Sequence, residues 1–473
     1  MNKLQFRCSM LMAISLLAMT SCGNQNQTKR DHLIFYVWGD SAEIACYEKI
    51  AADYNAKIES EAAEGEEVVK VKVQAATGDY YDNLSISFST ASTAPDIFFT
   101  ESGEFLSHLA SKKIMNLSSY IESGKLDIKS GSNADGEIEL WSVNDAYKYD
   151  GNEVGKGDYY ALIKDWSPDF VMWYNKAHID EYNTKNNLKS GDDGFMEYPS
   201  SEVPMTWDEF LDMSYKLTIK DGSTVRYGTM LDRVPYKHLM EWIQMTGSST
   251  WDSEYKKFNN TDPNVYKAFE FFVNLQLGDK ASSPVVGPTG IGSGEAFANG
   301  NISFAFFGNW AYSTYNWDSV GFEIGYCPAP VPAKSDGSAL TSADVYAGSS
   351  GMISLAVHDK TTRPDEAIDF LNYYMTKGNE YMATKGFNIP GNKIVANSNT
   401  FKNPEDSSLA AINQYFLNIA NNYTHPLVYN KYVGQGTFED IVGKYMSDYL
   451  SNPTGSTLQQ VLDNIAADVE REL

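Results

Sequence analysis

Cysteine and histidine are scarce in this 473-residue chain, and neither is arranged for chemistry. The six histidines, at 32, 108, 178, 238, 358 and 425, show no ligand spacing, and no HExxH motif is present. The chain also lacks a GxxxxGK phosphate loop followed by Ser or Thr. GxSxG is missing too, since the run GSSG at 348–351 has the wrong spacing for a nucleophile elbow. No metal and no cofactor is therefore expected. Basic clusters are absent, and 62 acidic residues outnumber 37 basic ones. That balance repels phosphate backbones and anionic headgroups, so nucleic acid is excluded as a partner. No apolar run reaches the roughly 20 residues that a membrane-spanning helix needs. Internal repeats and low-complexity tracts are also missing.

What is present begins at the N-terminus. Two cations, Lys3 and Arg7, precede a short apolar segment from about Met10 to Met19 and then Thr20-Ser21-Cys22-Gly23. These are the parts of a secretory signal peptide. A small residue before Cys resembles the bacterial lipobox, in which Cys22 becomes the acylated first residue. Residues 1–21 are thus expected to be removed, and residues 22–30 to be a lipidated cysteine and polar tether. The protein would be held at the extracytoplasmic face of the cell membrane by lipid alone. Without Lys3 and Arg7, 35 basic residues remain against 62 acidic ones, a net charge of −27. Cys46 and Cys327 are far apart and too few for a disulfide framework, so both are expected to be buried thiols.

About 450 mature residues exceed what one core usually supports, so two lobes are expected. Residues 32–38 (HLIFYVW) read as a buried strand, broken by Gly39 and Asp40. A helix follows, with Ile44, Tyr47, Ile50, Ala51 and Tyr54 on one face. Residues 68–73 and 94–99 read as further strands, with a helix at 80–90 between them. Strand, helix, strand, helix, strand argues for a doubly wound α/β lobe. Ligands of such sheets collect at the carboxyl ends of the strands, here Trp38-Gly39-Asp40 and Thr100-Glu101-Ser102.

Gly, Asp and Asn dominate from Lys125 to Asp158, which reads as a surface insertion. Helices are expected near 205–219, where Thr206 and Glu209 suit a capping box, near 235–246, and at 263–278. Residues 302–307 form a strand that ends at Gly308-Asn309-Trp310, and 351–357 form another. Two helices are expected at 364–376 and 378–385. The tail is helical, with Leu458, Val461, Leu462, Ile465 and Val469 as its apolar stripe.

Seven blocks in order resemble the extracellular solute-binding proteins of ABC importers, in their carbohydrate-binding branch. They are residues 35–57, 94–117, YYALIKDWSPDFVMWYNK at 159–176, PMTWDEF at 204–210, DPNVYKAFEFF at 262–272, GEAFANGNISFAFFGNW at 294–310, and 351–375. The resemblance implies a two-lobed, periplasmic-binding-protein-like clamp with several crossings between lobes, near 163–168, 345–352 and 395–400. It places residues 31–164 and 352–395 in one lobe, and 168–346 and 399–473 in the other. It also implies a monomer that delivers a carbohydrate ligand to permease subunits and performs no catalysis.

A pyranose offers an apolar face for an aromatic ring and a rim of hydroxyls that need paired donors and acceptors. The strand ends supply both. The resemblance carries ligand contact onto Trp38, Asp40, Glu101, Asp165, Trp166, Asn309 and Trp310. Ser102 and Tyr312 join them by position, and Gly348 and Ser349 as close backbone contact. Glu104 and Asp344 rank behind these. Trp38 also suits a core position at the end of a buried strand, and Asp165 a cap or hinge bridge. Trp207 and Trp173 read as structural, Trp242 as either, and Tyr80 and Tyr81 as helix-surface residues. A surface carbohydrate-active enzyme and a ligand sensor are the alternative functions, the first requiring two carboxylates roughly 5–10 Å apart across the cleft.

Overall fold

A computed structural model describes residues 30–473 apart from 91, 131–132, 222–223, 232–234, 255, 279–280, 285–291, 315–319, 335–349, 423–429 and 431. The leader, Cys22, Asp344, Gly348 and Ser349 lie outside the described residues.

Thirteen strands are assigned within these residues: β1 (His32–Val37), β2 (Lys70–Ala75), β3 (Ile97–Glu101), β4 (Lys148–Tyr149), β5 (Asp158–Tyr159), β6 (Ala161–Pro168), β7 (Val171–Asn175), β8 (Ile219–Asp221), β9 (Thr224–Thr229), β10 (Ile302–Phe307), β11 (Ile324–Cys327), β12 (Ser350–Val357) and β13 (Ile389–Pro390). Six form one sheet, in the order β13-β6-β12-β3-β1-β2, and five form a second, in the order β11-β7-β10-β9-β8. β1 is parallel to β2 and β3, with the helix Ser41–Glu61 between β1 and β2. β12 runs antiparallel to both β3 and β6. These are the two α/β layers expected of a two-lobed clamp.

The apolar run of β1 is buried from Leu33 to Val37 because helices cover both faces of the sheet. Phe35 meets Tyr47, Phe99 and Phe370 edge to face, with centroids 5.3–6.2 Å apart. In the second sheet, Phe210, Phe304 and Phe306 pack together below Trp207, whose ring stacks on Phe271 at 4.5 Å. The capping box of Thr206 and Glu209 opens the helix Trp207–Leu217, and Asp262 caps Pro263–Gln276. Trp173, Trp207 and Trp242 are all core residues. Cys46 and Cys327 are buried free thiols, and burial pushes Cys327 up to about 12.

Residues 150–158 are exposed as a surface insertion would be, but the earlier part of the 125–158 segment is anchored in the core. Leu126, Ile128, Ile138, Trp141, Val143 and Tyr147 are buried, and the Trp141 indole donates to the Pro390 carbonyl at 2.9 Å. The polar residues of this segment outnumber its anchors, so average composition conceals the side chains that fix it to the first sheet. The expected pair of helices after β12 is one continuous helical run, in which a π-turn at Tyr374–Gly378 joins Pro364–Tyr373 to Asn379–Ala383.

β6 keeps its ladder with β12 as far as Pro168, and the chain enters the second sheet through Asp169 and Phe170. The helix Ser407–Asn422 packs on β6 and β13, while its Phe416 reaches Trp173 of the second sheet. The helices Gln435–Ser451 and Leu458–Arg471 join the second sheet's core through Phe438, Val442, Leu462 and Ile465.

Candidate functional site

Parallel alignment of β1 and β3 puts Trp38 and Glu101 at the same edge of the first sheet. The two strands pair only at Phe35 with Ile97 and Tyr36 with Phe98, and then part. Beyond that point β3 keeps β12 on one side but has lost β1 on the other, and its backbone groups on that side need other partners. Two adjacent tyrosines provide them. The Tyr80 hydroxyl accepts from the Phe99 N–H at 2.9 Å and donates to the Phe99 carbonyl at 3.0 Å. The Tyr81 hydroxyl accepts from the Glu101 N–H at 3.1 Å and donates to Glu101 Oε2 at 3.3 Å. Neither is the helix-surface residue expected from sequence. Both rings also support Trp38, whose indole centroid lies 4.4 Å from Tyr80, 6.0 Å from Tyr81 and 5.1 Å from Phe99. Trp38 is half-buried on this shelf. A ring held edge-on by three neighbours is oriented at little further entropic cost.

Glu101 and Ser102 are half-buried where β3 ends and the helix Ser102–Ala110 begins. Burial raises the Glu104 carboxyl above its ordinary value, and the charges of Glu101 and Asp79 add to the effect. Asp40 caps the helix Ser41–Glu61: its Oδ1 accepts the N–H groups of Ala42 and Glu43 at 2.8 and 2.9 Å. Its geometry is that of a cap, at the same edge as Trp38.

A bulge reshapes β6 beside this edge. Ile353 faces Asp165 and Ser354 faces Ile163, so Lys164 has no partner on β12. Its carbonyl is taken by the Gly391 N–H at 3.0 Å and by Asn379 Nδ2 at 3.1 Å. The Lys164 ammonium is fully buried and ion-paired with Asp165, and it lies 5.3 and 5.0 Å from the ring centroids of Tyr47 and Phe99. Asp165 also accepts from Asn388 Nδ2 at 3.2 Å. Burial raises the Glu43 carboxyl, an effect that Lys164 opposes and Asp165 reinforces. Asp165 is therefore a buried counter-ion. Trp166 is likewise an interior residue, 1 % exposed with its ring 5.1 Å from that of Trp141. The resemblance carries ligand contact onto both, but Asp165 takes the bridging role that its position also suits, and Trp166 is interior.

The second sheet meets the first at Asp169. Register places Phe307 opposite Val171 and Gly351 opposite Ser167, so the end of β10 and the start of β12 converge on the bridge between sheets. Asp169 Oδ1 accepts from the Trp310 indole at 2.9 Å, and the Ser167 hydroxyl accepts from the Asn309 N–H at 3.1 Å. A Cβ on either Gly308 or Gly351 would overlap the Asp169 carboxylate, so both glycines are required by close packing. Asn309 is 1 % exposed, and its side-chain amide has no hydrogen-bond partner at either Oδ1 or Nδ2. Trp310 is half-buried beside it. Tyr312 donates to Asp406 at 2.9 Å, just ahead of the helix Ser407–Asn422.

The structure thus groups Trp38, Glu101 and Ser102 at the first sheet's edge, and Asn309 and Trp310 at the bridge. Asp40, Asp165 and Tyr312 have structural partners, whereas Trp166 packs its ring on Trp141 and leaves its buried indole N–H without a hydrogen-bond partner among the described residues. Asp169 is absent from the sequence reading, although it stands in the same DWSPDF run as Asp165, and Tyr80 and Tyr81 appear there only as helix-surface residues. Among the described residues, no cluster of His, Cys, Asp and Glu could hold a metal, and no helix is long and apolar enough to cross a membrane.

Known structures share this fold. An ABC substrate-binding protein of Listeria monocytogenes, Lmo0181, in complex with cycloalternan, superimposes with a TM-score of 0.71 at 16% identity, covering 93% of this chain and 98% of that one. Maltose-bound MalE3 of T. maritima gives 0.66 at 16% identity, covering 93% and 100%. UgpB of Mycobacterium tuberculosis in complex with glycerophosphocholine gives 0.67 at 15% identity, covering 93% and 98%. At these identities the likeness is one of fold. No curated protein matches in sequence. The family described as bacterial extracellular solute-binding protein matches residues 47–381, and this chain belongs to it.

Proposed function

We propose that the chain is the substrate-binding lipoprotein of an ABC importer. It captures a carbohydrate between two lobes, one built on each sheet, and passes it to permease subunits without chemical change. The observation that carries this reading is the pairing of a supported aromatic shelf with fixed polar groups. Trp38 offers an indole held by Tyr80, Tyr81 and Phe99, and Tyr81 holds the Glu101 carboxylate beside it. Sugars need this combination of a flat apolar surface and oriented acceptors. From the second sheet come Trp310 and the buried amide of Asn309, which carries a donor and an acceptor for ligand hydroxyls. The neighbouring structures named above hold cycloalternan, maltose and glycerophosphocholine, two of the three being saccharides.

Closure follows from differential affinity. A ligand that touches both sheets favours the state in which they approach. The acyl group on Cys22 is the proposed anchor at the extracytoplasmic face. Intrinsic tryptophan fluorescence of the chain beginning after Cys22 tests the reading, titrated with mono- and oligosaccharides, polyols, sugar phosphates and amino acids. Saturable change with a sugar that is recovered intact is expected. Conversion of the sugar would make the protein an enzyme. Response to another class alone would end the carbohydrate assignment.

A further inference from the structure

The helix Ser102–Ala110 belongs to the first sheet's side, because it continues β3 and buries Phe105 in that core. The helix Gln435–Ser451 belongs to the second, through Phe438 against Trp251 and Phe258. Their first turns nevertheless meet. Gly103 is buried, and the side chain of Gln435 lies over its α-carbon. A Cβ at position 103 would overlap Gln435 Oε1 and stand 3.0 Å from both its Cδ and its Cβ. The amide end can rotate away, but the Gln435 Cβ is fixed to the helix. Gln435 is held in place by its own Nε2, which donates to Glu439 Oε1 one turn on at 2.7 Å.

The geometry points to a latch: Gln435 seats on the bare backbone of Gly103 when the cleft is shut, two residues from the proposed ligand contact Glu101. Closing then favours glycine at 103, because a branched side chain there would strike the fixed Gln435 Cβ and hold the two helices apart. The contact joins the two sheets' helices independently of the Asp169 bridge. Its importance for affinity rests on the proposed ligand site, but the closure itself needs no ligand to be observed.

Small-angle X-ray scattering of the whole chain tests it without ligand. Gly103→Val is expected to raise the radius of gyration above that of the wild type. Gly103→Val combined with Gln435→Gly is expected to return it, because the wedge then has nothing to strike. Gln435→Trp approaches from the opposite helix and is expected to open the lobes as well, which covers failure of the Gly103 variant to fold. If a binding sugar is in hand, a tenfold drop in the closed fraction raises the apparent Kd about tenfold. Wild-type scattering from both Gly103→Val and Gln435→Trp would overturn the latch. Absence of sugar binding with the expected scattering would instead overturn only the carbohydrate reading.

Discussion

The Trp310 indole N–H donates to Asp169 Oδ1 at 2.9 Å, tying the end of β10 to the two-residue bridge between the sheets. Asp169 thereby holds together three pieces of chain distant in sequence: the bridge itself, the turn after β10, and Gly351 at the start of β12. Moving the end of β10 away from the bridge has to break this hydrogen bond.

Gly351→Ala should therefore destabilise the protein by about 1–3 kcal/mol, the usual range for forcing atoms into a packed site. Gly351 has no need of a left-handed backbone, so the cost is steric. Thermal or urea unfolding measures it. An unchanged stability would show that Asp169 can turn aside freely.

Tyr80→Phe leaves the ring on its shelf and deletes the hydroxyl that serves Phe99 at both its N–H and its carbonyl. A buried backbone group left unpaired costs about 1–3 kcal/mol. Tyr81→Phe should lose less stability, since Glu101 is half-buried, but it removes one hydrogen bond that orients the Glu101 carboxylate. The pair is separated by urea unfolding and ligand titration. Tyr80→Phe should act on the first, and Tyr81→Phe on the second, with Kd rising several-fold.

Lys164→Met removes a fully buried cation and strands Asp165. Breaking a buried pair at one partner costs about 3–5 kcal/mol. The double change Lys164→Met with Asp165→Leu should recover much of that in urea unfolding, because the uncompensated charge is gone. Equal losses in single and double variants would contradict the pairing.

His108, His178 and His358 are each depressed to about 4, chiefly by burial. The unfolded chain binds these protons near pH 6.5, while the folded chain resists them down to about 4. Their contribution is thus complete above pH 6.5 and is lost as pH falls toward 4. Stability measured in urea from pH 7.5 to 5 should decline, and His358→Phe should flatten the decline. A flat wild-type profile would mean that these rings are protonated in the folded state.

Much of the fold was legible because burial leaves a strong pattern. The unbroken run at 32–38, the Thr206–Glu209 box and the stripe from Leu458 to Val469 each became the element expected. The site was read less well. Trp38 ends an apolar run and Trp166 follows the charged pair Lys164-Asp165, yet packing makes Trp38 the half-exposed shelf and Trp166 the interior ring. Tyr80 and Tyr81 could not be recognised without knowing that β1 and β3 part after Tyr36 and Phe98. Asp169 depends on two glycines far away in sequence. The same limit applied to 125–158, where few apolar anchors are diluted by many polar residues.

The central claim is that a carbohydrate is held between the two sheets, and calorimetric titration of paired variants tests it most directly. Using the sugar that binds the wild type, Trp38→Ala removes a contact from the first sheet and Asn309→Ala one from the second. Both should weaken binding by tenfold or more, with the sugar recovered unchanged and the far-UV spectrum intact. Full affinity in either variant, or conversion of the sugar, would contradict the account.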